Sequence, residues 1–192
     1  MPDDLARRVV THASWSTRRS DSYERLAFLG DSVLSLIVTS HLYPRLEADH
    51  FPAGRLTKVR ARAVSGRSCR AVGERLGLPE RLETAAPPEA GPVADLVRAD
   101  RLLAEVVEAV IGACYLAFGF APTSVAVLEA FAPEIESALE HPEDAKSELQ
   151  ELLARRGDLV RYDVSAEAGP PHDRRFEVTA SVGDTEVGRG SG

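Results

Sequence analysis

Apolar residues recur at three- and four-residue spacing through Leu26, Leu29, Val33, Leu36 and Ile37, and again through Leu103, Val106, Val107, Val110 and Ile111. That is the period of helices with a buried stripe, so these two segments predict the central helices of a helical body. Between them, Arg55 to Leu76 reads as a basic helix pair broken near Ser65-Gly66. The stretch Glu83 to Gly91, with Pro87, Pro88 and then Pro92, reads as a loop. One further helix is predicted from Thr123 to Leu139. The character changes near His141-Pro142-Glu143-Asp144. Beyond it Lys146 to Arg155 has a helical pattern ending at Gly157, while Tyr162 to Ala166 and Phe176 to Ala180 alternate apolar with polar, as half-buried strands do. A short last strand, Thr185 to Val187, follows a Gly183-Asp184 turn. The pattern contains no internal repeat.

Composition narrows the class. The chain has 192 residues, 44% of them apolar, with 23 basic and 30 acidic side chains and a net charge of −7. Extended disorder is excluded by the apolar share. Cys69 and Cys114 stand far apart in no metal-ligand spacing, which indicates neither a disulfide framework nor a zinc site and fits a reducing, cytoplasmic setting. The start lacks the apolar core of a signal peptide, and the longest apolar run, Leu102 to Phe118, is interrupted by Glu105 and Glu108, so no membrane span is expected. An acidic total argues against a nucleic-acid partner, yet the charge is uneven. Arg55, Lys58, Arg60, Arg62, Arg67, Arg70, Arg75 and Arg81 form a basic strip broken only by Glu74 and Glu80, either a solvated helix face or a track for phosphates.

The acids fall in unusual places. In Tyr23-Glu24-Arg25-Leu26-Ala27-Phe28-Leu29-Gly30-Asp31, two carboxylates sit about two helical turns apart on a segment otherwise built for burial, so Glu24, position 27 and Asp31 share a face. Glu105 and Glu108 stand about one turn apart in the second apolar helix. Taken singly, each pair has an ordinary alternative as a helix edge or surface ion pair. Taken together, acids in two core helices want a cation, because burying an unpartnered carboxylate is costly. Two such helices side by side would offer oxygen-only ligands suited to magnesium or manganese, and a metal so held can activate water for phosphodiester attack.

With these motifs in this order, the chain resembles the ribonuclease III family of dimeric double-stranded-RNA endonucleases. The family's signature helix, Glu-Arg-Leu-Glu-Phe-Leu-Gly-Asp after Thr-His-x-Ser-aromatic, is matched by Glu24 to Asp31 after Thr11-His12-Ala13-Ser14-Trp15. Its second acidic helix is matched by Leu103 to Leu116, and its Pro-Glu-Gly-x-Leu element by Pro52-Ala53-Gly54-Arg55-Leu56. The tail, with Lys146 to Glu151, Gly169-Pro170-Pro171-His172 and Val187 to Gly190, resembles a double-stranded RNA-binding domain.

The resemblance implies an all-α endonuclease domain over residues 1–140, lacking the family's first helix. A linker over 141–145 and an incomplete α+β RNA-binding domain over 146–192, lacking its final helix, would follow. It implies metal-dependent hydrolysis of double-stranded or structured RNA, such as ribosomal or messenger RNA, by a homodimer using Mg2+ or Mn2+. Asp31, Glu105 and Glu108 would hold the metal, with Asp31 and Glu108 catalytic and Glu24 a supporting acid. RNA contacts would come from Gln150, Glu151 and His172 in the tail and Arg55, Lys58 and Arg60 in the body. Phe28 would be buried in the partner subunit, whereas composition alone reads it as an intrachain core aromatic. Three positions depart from the family pattern: Ala27 and Ala53 replace acids, and Glu105 stands where Asp is usual. Weakened catalysis is therefore expected, the alternative being a catalytically silent dimeric RNA-binding or assembly protein of the same fold.

Overall fold

A computed structural model of the protein describes residues 1–47, 52–90, 93, 100–141, 145–169 and 174–191. Contacts divide the chain into two compact units, Met1–Pro142 and Glu143–Gly192. The first is helical: α1 (Asp3–Val9), α2 (Glu24–Glu47), α3 (Ala53–Ala63), α4 (Gly66–Arg75), α5 (Leu78–Ala85), α6 (Asp100–Phe118), α7 (Phe120–Ala130) and α8 (Ala132–Glu140), with 3-10 turns at Ala13–Trp15, Arg19–Asp21 and Pro88–Ala90. The second holds α9 (Ala145–Ala154) and a three-stranded antiparallel sheet in the order β1 (Val160–Ala168), β2 (Arg175–Val182), β3 (Thr185–Ser191).

The two periodic segments form the centre of the first unit. Leu26, Val33, Leu34, Ile37, Val38 and Leu42 of α2 and Leu103, Val106, Val107, Ala109 and Ala113 of α6 are all buried in one apolar core. By length and composition alone α2 could cross a membrane, but in this fold its apolar stripe is that core. Where α2 and α6 cross, their backbones touch. A Cβ added to Gly30 would lie 1.7 Å from the Glu108 carbonyl oxygen, and one added to Gly112 would lie 2.2 Å from that of Leu26. On another side of α6, α4 docks by the same device, since a Cβ on Gly73 would come within 2.8 Å of Leu103. Cys69 of α4 is fully buried, and its thiol donates to the Val64 carbonyl at 3.8 Å.

Several boundaries, and the burial of the sheet, differ from the sequence expectations. The predicted loop at Glu83 begins instead after Ala85, because α5 uses Pro79 in its first turn, where a missing N–H costs nothing, and stops only before Pro87. The helix expected over Thr123–Leu139 is two helices that meet at Phe131, 1% exposed. Pro133 has no N–H to continue the ladder, and Gly119, at φ +78°, lets α7 begin earlier, at Phe120. The sheet is less buried than its alternation predicts, with Val164 61% and Val187 51% exposed. Its register pairs Tyr162 with Ala180 and Val164 with Val178, with an irregularity at Ser165. The expected hairpin turn is present, Gly183 at φ +57° joining the paired Val182 and Thr185, and β3 runs on past Val187 to Ser191.

Candidate active site

The Thr11–Trp15 motif builds the floor on which α2 begins. The Ser14 N–H donates to His12 Nδ1 at 3.2 Å, capping the 3-10 turn, and the His12 ring rests against Trp15 and Tyr23 with centroids 5.7 and 5.8 Å apart. The Tyr23 N–H donates to the Thr11 carbonyl at 3.1 Å, and the Ser22 hydroxyl to that of Arg19 at 2.6 Å. Glu24, in the first turn of α2, receives both Arg19 Nε at 3.1 Å and Arg19 Nη2, and this pairing holds its carboxyl below the usual range. Burial holds His12 below its ordinary pKa against the opposing charges of Glu24 and Glu105.

Asp31 is exposed on α2, next to the glycine that touches the Glu108 backbone. Glu108 is half-buried, and its pKa is pushed up to about 7, first by burial and then by the charges of Asp31 and Glu105. Glu105 turns the other way. Its Oε2 accepts the Tyr23 hydroxyl at 2.9 Å and its Oε1 accepts Arg101 Nε at 2.7 Å. It therefore lines an open polar pocket with His12, Arg19, Tyr23, Glu24 and Arg101. The acids thus fall into two groups, Glu24 with Glu105 and Asp31 with Glu108. Between them on α2 lies Ala27, 6% exposed and without an oxygen to bridge them.

In this structure Glu105, expected with Asp31 and Glu108 as a metal ligand, points toward Tyr23 and Arg101. Among the described residues no group of three or more His, Cys, Asp or Glu side chains could hold a metal ion. Glutamate at 105 is one methylene longer than aspartate, and its two oxygens accept hydrogen bonds from Tyr23 and Arg101, which direct the side chain toward them. The residues present do not fit the four-acid cage that the resemblance implies; they leave a two-acid position at Asp31 and Glu108.

The raised pKa of Glu108, set first by burial and then by the charges of Asp31 and Glu105, has a measurable consequence. A carboxyl whose pKa rises on folding from 4.5 to about 7 stabilises the folded chain only while protonated, so that contribution is complete below 4.5 and is lost as pH climbs to about 7. With a chelator present, Glu108→Gln should raise the Tm at pH 8, by on the order of 1 kcal/mol of stability once solvent screening is allowed for, and the gain should vanish near pH 4. An unchanged or lower Tm at pH 8 would mean that neither burial nor the neighbouring acids disfavour the Glu108 carboxylate.

Of the other expected residues, Phe28 is 82% exposed, so it is no intrachain core residue; Leu36 and Tyr43 lie exposed along the same helix. Arg55, Lys58 and Arg60 sit on α3, Arg55 exposed and the other two half-buried. The basic strip is partly spent on ion pairs, Arg70 with Glu74 at 2.9 Å and Arg75 with Glu134 at 2.7 Å. Ala53 opens α3, exposed. Gln150 is exposed on α9, whereas His172 and the side chain of Glu151 lie outside the described residues. Sequence reasoning misses Tyr23 and Arg101. Arg101 stands four residues before Glu105, a readable helical pair, but nothing local signals a partner 82 residues away.

Residues 2–135 match the Ribonuclease-III-like family and residues 145–192 the double-stranded RNA binding motif. Ribonuclease 3 of Delftia acidovorans is 38% identical over 98% of this chain and 81% of its own length; that of Natranaerobius thermophilus is 35% identical over 99% and 83%. Among solved structures, the nuclease domain of ribonuclease III from Campylobacter jejuni, described for its flexible region involved in dimer formation, matches with a TM-score of 0.62 at 28% identity, over 70% of this chain and 90% of that one. An all-helical nuclease fold carrying paired acidic helices is thus joined to an RNA-binding motif. The chain belongs to the ribonuclease III family, whose members generally depend on a divalent metal.

Proposed function

We propose that this chain is a homodimeric endonuclease for double-stranded RNA that works at reduced capacity. The observation that carries this reading is the backbone crossing at Gly30 and Gly112, which brings Asp31 of one core helix beside Glu108 of the other. Magnesium or manganese would be held there by these two carboxylates and otherwise by water, which magnesium accepts readily. With Ala27 silent and Glu105 engaged elsewhere, fewer protein oxygens fix the geometry, and looseness of this kind costs rate steeply. The exposed line of Phe28, Leu36 and Tyr43 on α2 supports a partner subunit at that face. Arg55, Lys58 and Arg60 on α3 and Gln150 of the RNA-binding motif are the proposed RNA contacts, together with Glu151 and His172 by resemblance. Two free cysteines support a reducing, cytoplasmic setting.

A second reading is favoured by one observation, the engagement of both Glu105 oxygens: a dimer that binds RNA and does not cut it. Incubating the full chain with long double-stranded RNA and Mg2+ or Mn2+ separates the two. Short duplex products that a chelator abolishes, from a protein with the mass of a dimer, are expected. RNA that is bound yet intact at excess protein and high Mn2+ would select the silent reading.

A further inference from the structure

One hydrogen bond beside the acidic cleft fixes the direction of Glu105, that from the Tyr23 hydroxyl. The Tyr23 side chain is 3% exposed, and its direction is set by contacts other than Glu105. Its N–H is tied to the Thr11 carbonyl at 3.1 Å, and its ring lies against His12 at 5.8 Å. From this fixed base the hydroxyl donates to Glu105 Oε2 at 2.9 Å. Arg101 takes the other oxygen, but its side chain is 90% exposed, so water screens that pair and it holds less firmly. Glu105 precedes Glu108 by three residues on α6, close enough for its charge to act on Glu108. Three residues apart on one helix, Glu105 and Glu108 are neighbours on its surface, so the direction of the Glu105 side chain decides which of the two acid groups it joins.

We propose that Tyr23, assisted by Arg101, is a positioning residue that holds Glu105 away from Asp31 and Glu108, so that the divalent-cation site of this chain has two protein carboxylates in place of three. This rests on reading Asp31 and Glu108 as the cation-holding pair. The N-terminal Thr-His-x-Ser-aromatic segment, by anchoring Tyr23, then sets the ligand count of a site to which it contributes no atom. The direction of the effect is opposite to that of a merely structural tyrosine, whose loss would weaken binding.

The test is a calorimetric titration of the full chain with Mn2+, with thermal unfolding in chelator to check each variant's fold. Tyr23→Phe keeps the ring and removes only the donor. Because a hydrogen bond to a charged group carries up to about tenfold or more in an equilibrium, Tyr23→Phe should bind Mn2+ about three- to tenfold more tightly than the parent. Arg101→Gln, at an exposed position that tolerates change, should give a smaller gain in the same direction. In a Glu105→Gln background, which removes the charge to be recruited, Tyr23→Phe should give none. Unchanged or weaker binding by both Tyr23→Phe and Arg101→Gln would overturn the proposal, as would an equal gain in the Glu105→Gln background. Glu108→Gln separates this failure from that of the underlying reading: if it leaves parental Mn2+ affinity intact, Asp31 and Glu108 are not the cation pair and both fall.

Discussion

Replacing Gly30 by alanine should destabilise the first unit by about 3 kcal/mol or more, a Tm loss of about 10 °C. Most glycine-to-alanine changes inside a helix help, because alanine is the better helix former. At this crossing the new methyl would sit 1.7 Å from the Glu108 carbonyl oxygen and 3.0 Å from the Gly112 amide nitrogen. Both are backbone atoms, so no rotamer can yield, and α2 and α6 must separate along the crossing that carries the core. Gly112→Ala meets the Leu26 carbonyl at 2.2 Å and should behave alike. Thermal unfolding of both variants, beside Gly54→Ala where an added Cβ meets nothing within 4 Å, provides the check. A Gly30→Ala protein as stable as the parent would mean that the helices are not in backbone contact.

The largest effect on activity is expected from Ala27→Glu. Position 27 lies one turn from both Glu24 and Asp31 on α2, between the two groups of acids. A carboxylate there would add the bridging oxygen that the cleft lacks, and cleavage of long double-stranded RNA should rise about 10- to 100-fold. Without a cation the same change adds a poorly solvated charge beside others of its sign, so the Tm in chelator should fall and recover on adding Mn2+. Restoring Ala53→Glu as well, at the exposed start of α3, should add to the rate. Glu108→Ala in either background should abolish the gain. No increase from the double restoration would mean that the missing acids at 27 and 53 are not what limits the rate.

Much of this organisation was legible in the chain. The period of α2 and α6 announced the central pair, and the basic helix pair, expected to break near Ser65-Gly66, breaks at Val64-Ser65, because a Ser65 cap starts α4 at Gly66. Misplaced boundaries came from single residues acting locally: Pro133 divided one expected helix, and Pro79 was harmless where it stood. In the site, residue identity was readable and side-chain direction was not. The spacing of Glu105 and Glu108 placed them on a shared helix, but whether Glu105 faces a metal or Tyr23 is decided by contacts between segments 82 residues apart. Likewise the sequence displays Gly30, yet not the carbonyl that requires it.

Cys69 acquires a chemical character from this packing. Burial, reinforced by the negative charges of Glu108 and Asp31, pushes its thiol up to about 12. At neutral pH only about one molecule in 10⁵ then carries the reactive thiolate. Burial first, and the two acids after it, thus keep this sulfur unreactive, and the first unit carries in its core a cysteine that oxidants and electrophiles reach only when the packing of α4 opens.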